Sequence, residues 1–205
     1  LISIKHRCIV KILLISDKPS PALYDHFNPD IFQGVNIVIS CGDLPAYYLE
    51  FIITMLNVPC YYVPGNHDTA FVKKPPPGWD LLDGKVIDFQ GLSIMGFGGS
   101  MKYKVGPFQY TEKEMKARLL RMKPKLWRKK NKIDILVTHA PAENLGDLED
   151  LPHKGFKTFQ YILDHYKPKY FLHGHVHLNY SRNPRQIKYG ETEIINGYEY
   201  HIFDY

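Results

Sequence analysis

Three observations predict a layered α/β domain containing both parallel and antiparallel strands. Short apolar, β-branched runs recur along the chain, helical stripes stand between them, and two stretches read as antiparallel strands joined at glycine turns. With 205 residues (23.9 kDa), no repeat and no linker-like stretch, residues 1–205 read as a single domain. Hydrophobic content of 44% and aromatic content of 14% exclude a disordered chain.

Each element has its own warrant. Residues 8–16, Val35–Ser40, 58–63, 133–138 and 169–172 are apolar runs of strand length, read as buried strands. Residues 45–56 read as a helix with proline at its first position. Lys85–Phe89 and Leu92–Phe97 flank Gln90-Gly91 and predict a hairpin. The proline-rich KKPPPG at 73–78 is a stiff loop. Thr111 with Glu114 three residues later is a capping box, and Met115, Leu119, Met122 and Leu126 follow at helical spacing, with Pro124 expected to kink or end that helix. Residues 155–166 put Phe156, Phe159, Ile162 and Leu163 on one stripe. From 186 to 205 the chain reads as two or three antiparallel strands turning at Gly190 and Gly197.

The formal net charge of +5 is unevenly placed. Residues 111–132 hold ten Lys/Arg and two Glu, a local +8, so the remainder sums to −3. Nucleic acid is one reading of that segment, but the wet face of an amphipathic helix is the preferred one. The longest uncharged apolar stretch, 51–65, is too short for a membrane span and is broken by Pro59 and Pro64. Lys5, His6 and Arg7 precede an apolar run, yet Lys11 interrupts it and no cleavage site follows, which argues against a signal peptide. Cys8, Cys41 and Cys60 are odd in number and lie in apolar runs, as expected for reduced thiols in a cytoplasmic protein.

Metal-capable residues fall just after the predicted strands: Asp17, then Gly42-Asp43, Gly65-Asn66-His67-Asp68, His139, and Gly174-His175-Val176-His177. Ligand sites of α/β sheets gather beyond the carboxyl ends of strands, so five loops are expected to meet at one point. Two Asp, one Asn and three His suit Mn²⁺, Fe or Zn²⁺, whereas calcium would want more carboxylates. A pair of such ions activates water and clamps the oxygens of an in-line displacement, which fits phosphoester hydrolysis; Asp43 is the candidate for a carboxylate shared between them. Two bound divalent ions would take the acidic remainder from −3 to about +1, so the attraction for phosphate would come from metals rather than from the basic helix.

Gly-Asp, Gly-Asn-His-Asp, a single His and Gly-His-x-His, in that order, resemble the calcineurin-like metallophosphoesterase superfamily from Asp17 to His177. A Gly-Asn-His-Asp tetrapeptide alone arises by chance in about one in a thousand chains of this length. The resemblance implies two mixed β-sheets packed as a sandwich flanked by helices, with a dinuclear metal site at one edge. It implies one metal on Asp17, Asp43 and His177, and another on Asp43, Asn66, His139 and His175. It also implies that His67 faces the phosphate, stabilising charge or protonating the leaving oxygen, beside Asn66. His153, in the polar loop before the last predicted helix, is expected to contact substrate, and Asn144 could reach the same pocket.

Two positions depart from the family pattern. The first motif has His two residues after its Asp, where this chain has Pro19, so the first metal keeps three protein ligands and weaker occupancy is expected. The phosphoprotein phosphatases of the family carry an Asp three residues after the Gly-Asp carboxylate; here that position is Ala46. The expected function is a metal-dependent phosphodiesterase or phosphomonoesterase acting on a small anionic phosphoester. The alternatives are a non-catalytic scaffold on the same fold, as in the small retromer subunit, and a metal-dependent nuclease.

Overall fold

The computed structural model describes residues 9–205; Cys8 and the Lys5, His6, Arg7 cluster lie outside them. Strands β1 (Lys11–Ser16), β2 (Val35–Ser40), β3 (Cys60–Tyr62) and β4 (Asp80–Leu81) run parallel in one sheet. Its other edge is closed by β13 (Glu199–Asp204), antiparallel to β1. The second sheet has the order β11-β12-β10-β9-β6-β5, where β5 is Lys85–Phe89, β6 Leu92–Phe97, β9 Ile135–Thr138, β10 Tyr170–His173, β11 Gln186–Tyr189 and β12 Thr192–Asn196. Its four central strands are parallel and both edge strands antiparallel. A two-stranded ribbon, β7 (Ser100–Met101) with β8 (Gln109–Tyr110), follows β6.

Period-two alternation stacks the layers. Ile12 and Leu14 of β1 and Ile37 and Ile39 of β2 meet Ile94, Ile135, Val137, Leu172 and Ile195 of the other sheet in one buried cluster. The alternate residues Leu13, Ile15 and Val38 turn outward onto helix α1 (Ala46–Leu56), packing with Tyr48, Leu49 and Ile52. On the far side, Met95, Leu136, Phe171 and Ile194 meet α2 (Glu112–Arg128) and α3 (Lys157–Tyr166) through Met115, Leu119, Phe159 and Ile162. The expected sandwich of two mixed sheets flanked by helices is the fold.

Local chemistry explains the helix ends. Thr111 and Glu114 form the full capping box of α2. Helix α3 has no side-chain cap of its own, because its N-cap residue is Phe156. Glu112 of α2 supplies one from outside: its carboxylate accepts from the Lys157 N–H (3.0 Å), the Thr158 N–H (2.8 Å) and the Thr158 hydroxyl. That carboxylate meets the positive end of the α3 dipole and ties the two helices together.

Three sequence expectations change. Pro45 is the N-cap of α1 rather than its first residue. Pro124 neither ends nor replaces the last turn of α2: the helix runs on to Arg128 because Leu126 is still buried against the sheet. Pro124 lies on the wet face, where water can satisfy the Leu120 carbonyl that the proline leaves unpaired. Gly197 is not a hairpin turn. Strands β12 and β13 belong to different sheets, and the chain crosses between them where the Gly197 N–H binds the His173 carbonyl at 2.7 Å. β13 satisfies the open edge of β1 and adds Tyr200 and Ile202 to the α1-side core.

Glu112→Ala should cost about 1–2 kcal/mol, as for other lost N-terminal caps, and Glu112→Gln less, read by urea unfolding. Pro124→Ala should raise the midpoint, because interior proline costs about 3 kcal/mol in a helix, less what the unfolded state regains in freedom. Cys41 and Cys60 are free and buried, and burial pushes their thiols up, Cys60 to about 12. Neither should be labelled by a disulfide reagent at pH 8 until the chain unfolds, as peptide mass mapping would show.

Candidate metal centre

The carboxyl ends of both sheets meet at one edge, and backbone bonds join them there. Within the first sheet's edge, the Asp17 N–H binds the Gly42 carbonyl at 3.0 Å, and in the second the Gly174 N–H binds the His139 carbonyl at 2.9 Å. Between the sheets, the His175 N–H donates to both Asp17 carboxylate oxygens at 2.9 Å. His139 Nδ1 donates to the Cys41 carbonyl at 2.7 Å.

That last bond turns His139 Nε2 inward, 3.0 Å from Asn66 Oδ1 and 3.3 Å from Asp43 Oδ2. Asn66 Nδ2 in turn donates to the Tyr103 hydroxyl at 3.2 Å, leaving its oxygen to face the centre. His175 bonds the Pro152 carbonyl through Nε2 at 2.7 Å, which frees Nδ1 as its acceptor. One ligand atom each from Asp43, His139 and His175 falls within 4.8 Å of the others. A carboxylate, an amide oxygen and two oriented imidazoles are a donor set that fits a divalent transition ion, and each has an outer hydrogen bond of the kind metal ligands need.

Tight backbone turns make this convergence feasible. Asp17, Asp43 and His175 all have positive φ (65°, 56° and 69°), an uncommon conformation for residues with a side chain. Two glycines are required by contact: a Cβ on Gly65 would stand 2.0 Å from Asp43 Oδ1, and one on Gly174 would stand 1.9 Å from Ser16 Oγ. Asp68 is not directed at His67. Its carboxylate accepts from the Asp43 N–H at 2.8 Å and the Gly65 N–H at 2.7 Å, stitching two motif loops together.

Electrostatics follow from burial and mutual contact. Burial pushes Asp17 up to about 6, with His139 opposing and Asp43 assisting. Burial would raise Asp43 too, but the charge and hydrogen bond of His139 hold it down at about 2. Burial would lower His139, yet Asp43 and Asp17 lift it to about 9. Burial drives His175 down to about 3, with the His139 charge acting the same way. Asp68 rises to about 7 through burial and the Asp43 charge.

The other expected residues line the same cleft, of about 430 Å³. His67 is exposed at its mouth, held by its N–H to Asp43 Oδ1 at 2.8 Å. His177 Nε2 lies 3.8 Å from Asp17 Oδ1, with its ring between Tyr180 and Tyr198. His153 reaches the cleft with Nδ1 on Asp150 at 2.6 Å and Nε2 at 3.2 Å from the Tyr180 hydroxyl. Asn144 does not reach it and lines a separate cavity beside Glu143 and Asp147. Pro152 and Tyr180 escaped the sequence reading because neither stands in a motif; adjacency to His153 and His177 was their only signal.

A family model described as calcineurin-like phosphoesterase matches residues 12–179. The chain belongs to the calcineurin-like phosphoesterases. Solved structures share the fold. TT1561 of Thermus thermophilus superposes with a TM-score of 0.64 at 16% identity, covering 93% of this chain and 90% of its own. GAP50, titled the anchor in the inner membrane complex of Plasmodium, gives 0.58 at 15% identity, covering 92% and 71%. A further crystal structure gives 0.67 at 15% identity, covering 96% and 95%. Identities this low speak to fold alone. No curated protein matches the sequence significantly. Among the described residues no helix is long and apolar enough to cross a membrane.

A divalent ion at Asp43, His139 and His175 must displace the proton His139 carries below about pH 9 and, at a neighbouring position, the one Asp17 carries below about 6. Affinity for Mn²⁺ should therefore rise from pH 5 to 9 with proton release, measurable by calorimetry in buffers of different ionisation enthalpy. Tyr103→Phe removes the outer bond on Asn66 and should weaken Mn²⁺ about tenfold without unfolding the chain.

Proposed function

We propose that this calcineurin-like phosphoesterase is a metal-dependent hydrolase of small anionic phosphoesters, a phosphodiesterase or phosphomonoesterase. The observation that carries the reading is the meeting of Asp43, His139 and His175 beneath an exposed His67 whose backbone is bound to Asp43. In this reading Asp43, Asn66, His139 and His175 hold one ion, and Asp17, Asp43 and His177 hold a second, with Asp43 shared. Mn, Fe or Zn suits both. The set of Asp17, Asp43 and His177 is the weaker, since Pro19 offers no donor and leaves it three protein ligands. When bound, the ions supply Lewis-acid charge to the phosphoryl oxygens and an activated water for attack on phosphorus.

The protein's own groups do the rest. His67 stabilises developing charge or gives a proton to the leaving oxygen, a task imidazole suits near neutral pH. Its ring projects from a turn pinned at both ends, by its own N–H on Asp43 and by Asp68 on the Gly65 N–H. Asn66 and His153 complete the substrate contacts, His153 being steered by Asp150. The buried, unpaired Cys41 and Cys60 support a reducing, cytoplasmic setting.

Hydrolysis of bis(p-nitrophenyl) phosphate with added Mn²⁺ tests the reading. His67→Ala should lower kcat about a hundredfold while leaving metal content unchanged, whereas Asp43→Asn should remove both metal and turnover. Pro19→His should tighten the ion held by Asp17, Asp43 and His177; unchanged affinity and rate would show that Pro19 does not limit that site. No metal uptake and no turnover with any divalent ion would leave the scaffold reading in its place.

A further inference from the structure

Away from the metal edge, α2 and α3 lie side by side on the outer face of the second sheet and enclose a trough of about 460 Å³ between them. Its walls are apolar, chiefly Leu119, Leu120 and Tyr161, and its rim carries Lys116, Lys123 and Lys157. The rim has one carboxylate, Glu112, already committed to capping α3. Lys116 and Lys123 have no carboxylate within ion-pair distance among the described residues, and Lys157 reaches only Glu143 at 3.9 Å.

The exposed side of α2 is not a uniformly solvated face. Lys116, Leu120, Lys123 and Trp127 follow at intervals of four, three and four, one stripe of a helix. On this stripe Leu120 is 49% exposed and Trp127 76%, and across the trough Tyr161 is 45% exposed. The stripe alternates apolar and cationic groups over about 16 Å, at 1.5 Å per residue. Nucleic acid would satisfy the lysines yet leave the apolar walls unburied, and a membrane surface would not fill a concave trough.

We infer that the α2–α3 trough is a docking site for an acidic amphipathic helix of a partner protein. Such a helix places apolar side chains at i, i+3 or i+4, and i+7 against Leu120, Tyr161 and Trp127, while Glu or Asp on its flanks meet the three lysines. The charge and apolar pattern select this partner independently of the chemistry at the metal edge.

The probe is a sixteen-residue peptide with leucines at i, i+4, i+7 and i+11, glutamates on both flanks and no aromatic residue. Trp79 is buried, so a change in emission on binding reports Trp127. A saturable blue shift is expected, with a dissociation constant in the tens of micromolar, weakened at least tenfold by Leu120→Glu and by Lys123→Glu. A lysine-flanked peptide should bind Lys123→Glu better than it binds the unchanged protein. Both substitutions are on the surface and should leave Mn²⁺ affinity unchanged. No saturable shift up to 1 mM, equal binding of the acidic and lysine-flanked peptides, or indifference to Leu120→Glu would overturn the assignment. Stronger displacement of the Trp127 signal by single-stranded RNA or by anionic vesicles would also overturn it, in favour of that ligand.

Discussion

The contact of His139 with Cys41 and Asp43 is the interaction on which the rest of the site depends. It joins the end of β9 in one sheet to the loop after β2 in the other, so the edges of the sandwich are locked where the candidate metal-binding side chains project. The ring is fully buried, and its two nitrogens have separate duties, one toward a carbonyl and one toward Asp43 and Asn66. A buried imidazole kept charged by a buried carboxylate is costly to isolate, so losing either partner would leave the other uncompensated. The His139 proton occupies the region of positive charge that a divalent ion would take over.

The strain in this edge follows from the same need. Three side chains must leave strands that run parallel and turn at once toward one centre, which forces positive φ at Asp17, Asp43 and His175. Gly65 and Gly174 let carboxylates press against backbone, and Asp68 holds the two loops after β2 and β3 in register. The conformational cost is borne by the interleaved apolar core between the sheets, which runs up to the site at Cys41 and Val63.

Charge and shape divide the surface into two unlike faces. Acidic and imidazole groups converge on the strand ends, and the lysine-rich helix α2 lies on the outer face of the second sheet. The separation explains why the overall +5 is a poor guide to the site. Much of the basic helix is solvated, but its Leu120–Trp127 stripe is continuous with an apolar trough, and only the packing of α3 beside α2 creates it.

Much of the fold was legible beforehand because apolar period and turn chemistry are local. The bounds of β2, β5 and β6, the capping box at Thr111 and the buried stripe of α3 all follow from neighbours within a few residues. The motif residues at strand ends were legible for the same reason, and they do come together. What local pattern could not reveal was decided at long range. Gly197 marks a crossing between sheets because β1 has an edge to fill, and Pro124 is tolerated because Leu126 remains buried. Glu112 caps a helix 45 residues away, and Tyr103 and Tyr180 face a cleft that no motif places them in. The amino-acid sequence by itself determined the strands, the helices and the kind of chemistry at their ends, through period, capping and donor type. Only the tertiary structure decided which donors meet, how each imidazole is turned and which helix faces stay open, since those depend on contacts between residues far apart in the chain.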